Sequence, residues 1–431
     1  MTVARGGPAD LRGAATANGG GRRRSDLAES VNARRSADEV CDVTVVGVDG
    51  PLSPAAIAAL ARADIVVGAA RLLPLVAGDV ERVVLGAIAP ALTRMRGRRA
   101  VVLAGGDPGF FGIVRLLREH GIVPVVLPAT SSVQRLFARL GRSWDDVAVV
   151  STHGRALGPA VNVVRARAAT AVLTGPGAGP ADLAAALVGW PRTLVVAEDL
   201  DGPDEQLTTL PAADAVGRRW HPLSVVLALR DPAAVPARGW YAGGAPPLPQ
   251  DGWALPDDAF AHRGGMVTKS EVRAVALARL APRPGALVWD VGAGSGSVAV
   301  ECARLGAAAL AVERSGEDAA RIADNARNHG VEVRIVEGEA PGALAGLPRP
   351  DAVFVGGGGP DVVTASAAVG ADRVVVALAA LDRVGPARAA LTDAGYAVEG
   401  VQVAASRLAA LPDGAVRLAA LNPVTLIWGS R

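Results

Sequence analysis

The sequence has 431 residues, enough for two domains of ordinary size, and because half of them are apolar the chain can bury sizeable cores. Its formal net charge of +2 argues against an electrostatic nucleic-acid binder, and no run approaches the ~18 apolar residues that a membrane span requires. Two cysteines, Cys41 and Cys302, give no disulfide framework and fit a reducing cytoplasm, where we expect the protein.

Changes in composition divide the chain into four parts. Residues 1–40 are rich in Gly and Arg without apolar periodicity, and we predict a disordered tail there. Short β-branched runs alternate with helical patterns over 41–235 and again over 255–431. The stretch 236–254 is rich in Pro and Gly, which is typical of a linker. We therefore predict two α/β domains with buried parallel strands, the second a doubly wound sheet.

The second domain carries a Gly-rich loop between a predicted strand and a predicted helix. Glycines let the backbone approach a ligand closely, and the helix N-terminus offers free N–H groups. Glu313 ends the next predicted strand, where a carboxylate can accept both hydroxyls of a ribose. The cofactor-binding candidates in the loop are Gly292, Ala293, Gly294, Ser295 and Gly296.

Two ligands compete for this loop, a nicotinamide dinucleotide and S-adenosylmethionine. The dinucleotide fingerprint requires a glycine where Ser297 stands, and acidic Asp290 precedes the loop. This spacing favours S-adenosylmethionine, which has no pyrophosphate, over the dinucleotide or an ordinary tight turn. Glu339 and Ala340 follow the third predicted strand, where methyltransferases of this fold contact adenine, although Glu339 alone is compatible with a solvated loop acid.

The first domain has a different loop, AGGDPGFFG, at the end of a predicted strand. Gly105 and Gly106 permit tight backbone turns, and Asp107 starts one. A turn whose aromatic residues pack into the core is the alternative. PATSSVQ and STHGR follow later predicted strands, at the carboxyl ends where α/β proteins bind ligands.

The first domain contains the segments DVTVVGVDG, GGDPGFFGI, PATSSVQRLFARLG and STHGR. They resemble the tetrapyrrole methylase family, in its branch that methylates carbon 5 of a precorrin. The second domain contains LPDDAFAHRGGMVTKSEVRA, WDVGAGSGSVAVE, EGEAPGAL, PDAVFVGGGG and NPVTLIWG. They resemble the partner family, which methylates carbon 15 and decarboxylates. Together the two resemblances cover about residues 42–431. The chain as a whole therefore resembles the fused methyltransferases of cobalamin biosynthesis.

The resemblance implies a Rossmann-like class I methyltransferase fold for the second domain. It also implies conversion of precorrin-6Y to precorrin-8X, with two methylations from S-adenosylmethionine and loss of carbon dioxide. Four residues join the cofactor-binding candidates: Gly47, Ser131, Ser132 and Thr268. We expect a homo-oligomer without a metal.

The implied substrate is a tetrapyrrole with many carboxylates, for which arginine is the expected partner. The candidate substrate-binding residues are His153, Arg155, Lys269 and Arg273. Lys269 is the only lysine in the sequence, and each of the four is also compatible with a structural or surface role. The family usually has Asp in place of Glu339, and a polar segment with Asn and Thr in place of 376–383.

Neither half shows a catalytic triad or a metal cluster. A sulfonium methyl group is already activated, so the protein's task in methyl transfer is mostly positioning and desolvation. Two other functions stay open on the residues alone. One is a nicotinamide oxidoreductase built on the second loop, which Ser297 opposes. The other makes the first domain a non-catalytic scaffold for the second.

Overall fold

A computed structural model describes residues 42–235, 242 and 251–431. The predicted tail, Cys41 and most of the predicted linker lie outside these residues. The described chain divides into two compact units between Thr130 and Ser131. This boundary does not coincide with the predicted linker. The residues before and after the linker share one core, because Trp190 lies in the same apolar cluster as Leu287 and Trp289.

The first unit is a parallel sheet with helices. Its described strands are β1 Asp42–Val48, β2 Ile65–Gly68, β3 Glu81–Val84, β4 Arg99–Gly105 and β5 Val125–Leu127. Its α-helices are α1 Pro54–Ala61, α2 Ile88–Met95 and α3 Ile113–Glu119. The strand order is β3-β2-β4-β1-β5, and every pair is parallel, as predicted. Ser53 caps α1 by accepting a 3.2 Å hydrogen bond from the Ala56 amide.

The second unit opens with a mixed sheet. Its strands are β6 Ala148–Ser151, β7 Ala169–Leu173, β8 Thr193–Glu198, β9 Gln206–Pro211 and β10 Ser224–Leu229. Its helices are α4 Ser132–Leu140, α5 Leu157–Ala166, α6 Pro180–Ala186 and α7 Ala212–Ala215. The order is β6-β7-β10-β8-β9, and only the β6–β7 pair is parallel. The prediction of parallel strands throughout is therefore wrong here. A fully buried antiparallel strand such as β10 has the same apolar sequence as a parallel one.

The rest of the second unit is a doubly wound sheet. Its strands are β11 Leu287–Val291, β12 Ala308–Glu313, β13 Val333–Glu337, β14 Ala352–Val355, β15 Arg373–Leu378, β16 Ala397–Val403, β17 Ser406–Ala410, β18 Val416–Ala420 and β19 Val424–Ser430. Its α-helices are α8 Ser270–Leu280, α9 Ser297–Arg304, α10 Gly316–Asn328, α11 Pro360–Ala368 and α12 Val384–Asp393. Seven strands form one sheet in the order β13-β12-β11-β14-β15-β19-β16, and β17–β18 form a separate hairpin.

This architecture confirms the predicted α/β fold class. In the seven-stranded sheet β19 alone runs in the direction opposite to the other six strands. The carboxyl ends of β11 to β15 therefore meet at one edge, where their loops can form a single site. None of the helices in the described part of the chain has the length and apolar character that crossing a bilayer demands.

Candidate functional site

A cavity of about 490 Å³ lies at the carboxyl edge of the seven-stranded sheet. The loops after β11, β12, β13 and β14 contribute to its wall. The strand order reverses between β11 and β14, and open parallel sheets bind ligands at such a reversal. Five predicted cofactor-binding residues line the cavity: Gly292, Gly294, Glu313, Glu339 and Ala340.

The loop after β11 needs its glycines for different reasons. Gly292 has φ 70°, and a Cβ there would lie 2.9 Å from the amide nitrogen of Gly357. Gly294 has φ 55°, but a Cβ there would meet no atom within 4 Å. A Cβ on Gly296 would lie 2.7 Å from Ile322, so this glycine lets α10 pack against the loop. Gly294 is thus the glycine whose missing side chain leaves room for a ligand.

Glu313 holds the loop and faces the cavity. Its side chain is at the end of β12, and the residue is only 8% exposed. One carboxylate oxygen accepts from the Gly294 amide at 2.8 Å, and the other accepts from the Ser315 amide at 3.0 Å. Because a carboxylate has about four acceptor positions, both oxygens keep capacity for ligand hydroxyls.

Asp290 lies beneath the loop and is fully buried. Its Oδ2 accepts from the Ala299 amide at 3.0 Å, which joins β11 to the first turn of α9. Burial raises the pKa of Asp290 to about 7. The hydrogen bond from the Ala299 amide acts in the opposite direction, and the nearby charge of Glu313 adds to the rise. Asp290 is therefore a support of the loop whose charge changes near neutral pH.

The other predicted residues of the loop, Ala293, Ser295 and Gly296, do not line the cavity. Thr268 and Lys269, in the arm before α8, do not line it either. The Lys269 ammonium donates to the Gly265 carbonyl at 3.2 Å and lies 3.6 Å from the Asp257 carboxylate.

Arg273 does not serve as the predicted surface contact for a substrate carboxylate. Its side chain has no solvent exposure, and its Nε donates to Glu301 at 2.7 Å. It also donates to the carbonyls of Thr268 and Leu255. The prediction for Arg273 is wrong because its charge is satisfied inside the protein, where it fastens the arm that precedes α8.

Three exposed arginines line the cavity. Arg263 lies 3.6 Å from Asp318, and Arg314 lies 3.4 Å from Glu339. Arg383 donates to the Gly358 carbonyl at 3.1 Å. Since the three arginine side chains are solvent-exposed, these contacts hold them weakly and leave the guanidinium groups able to meet an anionic ligand.

Sequence reasoning missed several residues of this wall. Gly357 and Gly358 line the cavity after β14, and four consecutive glycines at a strand end were the available signal. Gly338 lines it after β13. Arg383 gave no signal in the sequence, because it reaches the cavity only through the packing of the segment before α12.

The predicted loop of the first unit forms at one edge of its sheet. β1 and β4 are adjacent and parallel, so Gly47 and Gly105 lie near the same strand ends. A Cβ on Gly47 would lie 2.8 Å from the carbonyl oxygen of Gly106, which leaves no space for a side chain. Gly106 has φ 75°, and Asp107 accepts from the Gly109 amide at 2.8 Å, which confirms the predicted turn.

The remaining candidates belong to the second unit. Ser131 is buried and caps α4: it accepts from the Gln134 amide at 3.2 Å, and its own amide donates to the Gln134 side chain. Ser132 is half-buried in the first turn of that helix. His153 is exposed and Arg155 is half-buried after β6, and Arg155 donates to the His153 carbonyl at 3.4 Å.

Two family models match the chain. One, described as tetrapyrrole (corrin/porphyrin) methylases, matches residues 46–216. The other, described as a precorrin methyltransferase domain, matches residues 258–407 and therefore includes the cavity loops from β11 to β14. The two matches lie on opposite sides of the predicted linker.

Similar proteins carry related names. A precorrin-6Y C(5,15)-methyltransferase (decarboxylating) of Sinorhizobium sp is 40% identical over 345 residues, which are 76% of this chain and 81% of that protein. A cobalt-precorrin-7 C(5)-methyltransferase of Salmonella typhimurium is 35% identical over 186 residues, 40% of this chain and 91% of that protein. The crystal structure of the C-terminal domain of a Rhodobacter capsulatus precorrin-6Y C5,15-methyltransferase shares 33% identity at a TM-score of 0.38, covering 43% of this chain and 100% of that one.

Proposed function

Because this chain belongs to the family of precorrin-6Y C(5,15)-methyltransferases (decarboxylating), we propose that it converts precorrin-6Y to precorrin-8X in cobalamin biosynthesis. The reaction comprises two methyl transfers from S-adenosylmethionine and the loss of one carbon dioxide. The observation that carries the proposal is the cavity beside Glu313, which lies within the part matched by the precorrin methyltransferase model. Cytoplasmic location, a homo-oligomeric state and the absence of nucleic-acid and metal partners stay predictions.

The residues of the cavity fit S-adenosylmethionine. A volume of about 490 Å³ is in the range of pockets for small ligands. Gly294 leaves open space at the wall, and Glu313 offers fixed acceptors for the two hydroxyls of a ribose. When bound, this cofactor supplies a methyl group that its sulfonium charge has already activated.

The chain's own groups then position the reactants. Glu313 holds the ribose, and the glycines at 292 and 294 let the cofactor lie against the backbone. Arg263, Arg314 and Arg383 pair with carboxylates of the tetrapyrrole at the cavity wall. Fixing the acceptor carbon in line with the methyl group, away from water, removes much of the barrier to transfer, so no enzymic nucleophile is needed.

We assign the two methylations to different modules. Residues 42–235, the N-terminal module, methylate carbon 5. Residues 255–431, the C-terminal module, methylate carbon 15 and release carbon dioxide from the ring acetate. The match to the Salmonella protein supports this division, because a protein named for carbon 5 alone corresponds to only 40% of this chain. The unlike glycine loops at 105–107 and 292–296 also support two separate cofactor sites.

Calorimetric titration of the full chain with S-adenosylmethionine tests the two-site proposal. We expect two molecules bound per chain, and one in either of two loop variants, Gly294→Val and Gly106→Val. Both glycines have positive φ, so circular dichroism must show that each variant is folded. One molecule bound by the wild type would make the N-terminal module a scaffold. No binding would overturn the cofactor assignment.

A further inference from the structure

The seven-stranded sheet has a gap in the helices that cover one of its faces. α11 and α12 pack on this face, where Trp289, Leu310 and Val353 belong to its core. Between β13 and β14, however, the chain forms only a short 3-10 turn, Gly342–Leu344. Parallel sheets of this kind require cover on both faces, so the β12–β13 side of the sheet needs atoms from elsewhere.

Trp190 from the N-terminal module fills part of this gap. It is 2% exposed and belongs to the same core cluster as Leu287 and Leu310. Two guanidinium groups lie over its ring, Arg165 at 4.3 Å from the ring centroid and Arg334 of β13 at 4.7 Å. A buried aromatic residue in contact with cations is the type of anchor that stabilises protein interfaces.

Arg192 forms an ion pair across the same surface. Its side chain has no solvent exposure and makes two hydrogen bonds to Glu332, at 2.8 and 3.0 Å. It also donates to the carbonyls of Val164 at 3.0 Å and Arg165 at 2.8 Å. Glu332 directly precedes edge strand β13, so the pair joins the N-terminal module to the edge of the other module's sheet.

Asn162 of α5 adds a third contact. Its side-chain amide donates to the Gly285 carbonyl at 3.1 Å and to Asp351 at 3.4 Å. The same Asp351 oxygen accepts from the Leu287 amide at 2.7 Å, which fixes it at the start of β11. The interface therefore has an apolar anchor, a bidentate ion pair and a polar rim, the usual composition of a stable protein–protein contact.

We propose that this surface, formed by Glu332, Arg334, Asp351 and the apolar face of β12 that carries Leu310, is a permanent docking site for residues 131–235 of the same chain. The docked segment completes the core of the C-terminal module. The noncovalent interface then holds the two modules together, and the linker is not needed for this. This proposal concerns assembly alone and does not depend on which reaction either module performs.

Scission of the linker tests the proposal. A protease recognition sequence inserted within 243–250 allows the purified full chain to be cut once, and size-exclusion chromatography then shows whether the two pieces separate. We expect the cut wild-type protein to elute as one complex of both pieces at low micromolar concentration. Separate elution of two folded pieces would overturn the proposal.

A charge reversal identifies the surface. Glu332→Arg places a cation beside Arg192, and losing a buried ion pair weakens association of the cut pieces by about a hundredfold or more. Glu399→Arg makes the same change on the opposite edge strand, β16, and we expect it to leave association unchanged. If cut Glu332→Arg protein stays together as well as the Glu399→Arg control, the assigned surface is wrong. Circular dichroism of the uncut variants shows whether each is folded.

Discussion

Glu313 combines two roles in one carboxylate. It fixes the amides of Gly294 and Ser315, and it presents its remaining acceptor positions to the cavity. An acid at the end of the second strand of this module was visible in the sequence, because a short apolar run ends there. Its hydrogen bond to the loop was not visible, since the residues are 19 positions apart and meet only when β11 and β12 pair.

Replacing Glu313 by alanine removes a charged hydrogen-bonding group. We expect the affinity of the C-terminal site for S-adenosylmethionine to fall by about ten- to a hundredfold, which corresponds to about 1.5–3 kcal/mol. Calorimetric titration measures this change. Glu317→Ala is the control, because Glu317 is an exposed acid in the first turn of α10 that does not line the cavity. Equal affinities for the two folded variants would refute the role of Glu313.

Asp290 makes the free energy of unfolding depend on pH. Burial raises the pKa of Asp290 to about 7 in the folded protein, whereas in the unfolded chain the carboxyl has its ordinary pKa of 3.8. Between these values the folded state keeps a proton that the unfolded state has lost, so the free energy of unfolding falls as pH rises.

Asp290→Asn removes this titration while keeping an acceptor for the Ala299 amide. Between pH 5 and pH 8 we expect wild-type stability to fall by about 3 kcal/mol relative to the variant. Urea unfolding at the two pH values measures the difference. If the unfolding free energies of wild type and variant differ by the same amount at both pH values, Asp290 does not keep its proton in the folded state.

The loop after β11 is the element that the sequence predicted most accurately. Its strand, three alternating glycines and following helix are all encoded locally, and the structure has β11, the loop and α9 in the predicted order. Other elements depended on long-range packing. β3 is a short edge strand with alternating exposure, and the hairpin β17–β18 exposes Leu408 and Leu418, so neither gives a buried-strand pattern.

Alanine substitutions at Gly292 and at Gly294 distinguish the roles of the two glycines, since Gly292 packs against Gly357 and Gly294 faces the ligand. Both positions have positive φ, so each variant loses ~1–2 kcal/mol of stability. Gly292→Ala also forces a Cβ against Gly357, which adds about 1–3 kcal/mol. We expect Gly292→Ala to have the lower melting temperature, and Gly294→Ala to bind S-adenosylmethionine more weakly than wild type at nearly unchanged fold. The reverse order of melting temperatures would contradict the geometry of the loop.

At the scale of the whole molecule, the sequence predicted two modules but not how the structure divides. The Pro/Gly-rich stretch at 236–254 separates the two family matches, as a linker should. The compact units nevertheless divide at Thr130. Contacts such as Arg192 with Glu332 join positions 140 residues apart, and local composition carries no signal of them. The buried pair Arg273–Glu301 was hidden for the same reason, and a surface role was expected for Arg273.

The central claim is that one chain contains two methylation sites, with decarboxylation at the C-terminal one. Mass spectrometry of the products made from precorrin-6Y by Gly106→Val and Gly294→Val tests it most directly. We predict that Gly106→Val still adds one methyl group and releases carbon dioxide. We predict that Gly294→Val adds one methyl group and retains the carboxylate, or makes no product if carbon 5 is methylated second. Release of carbon dioxide by folded Gly294→Val, or its loss in folded Gly106→Val that still methylates, would contradict the account.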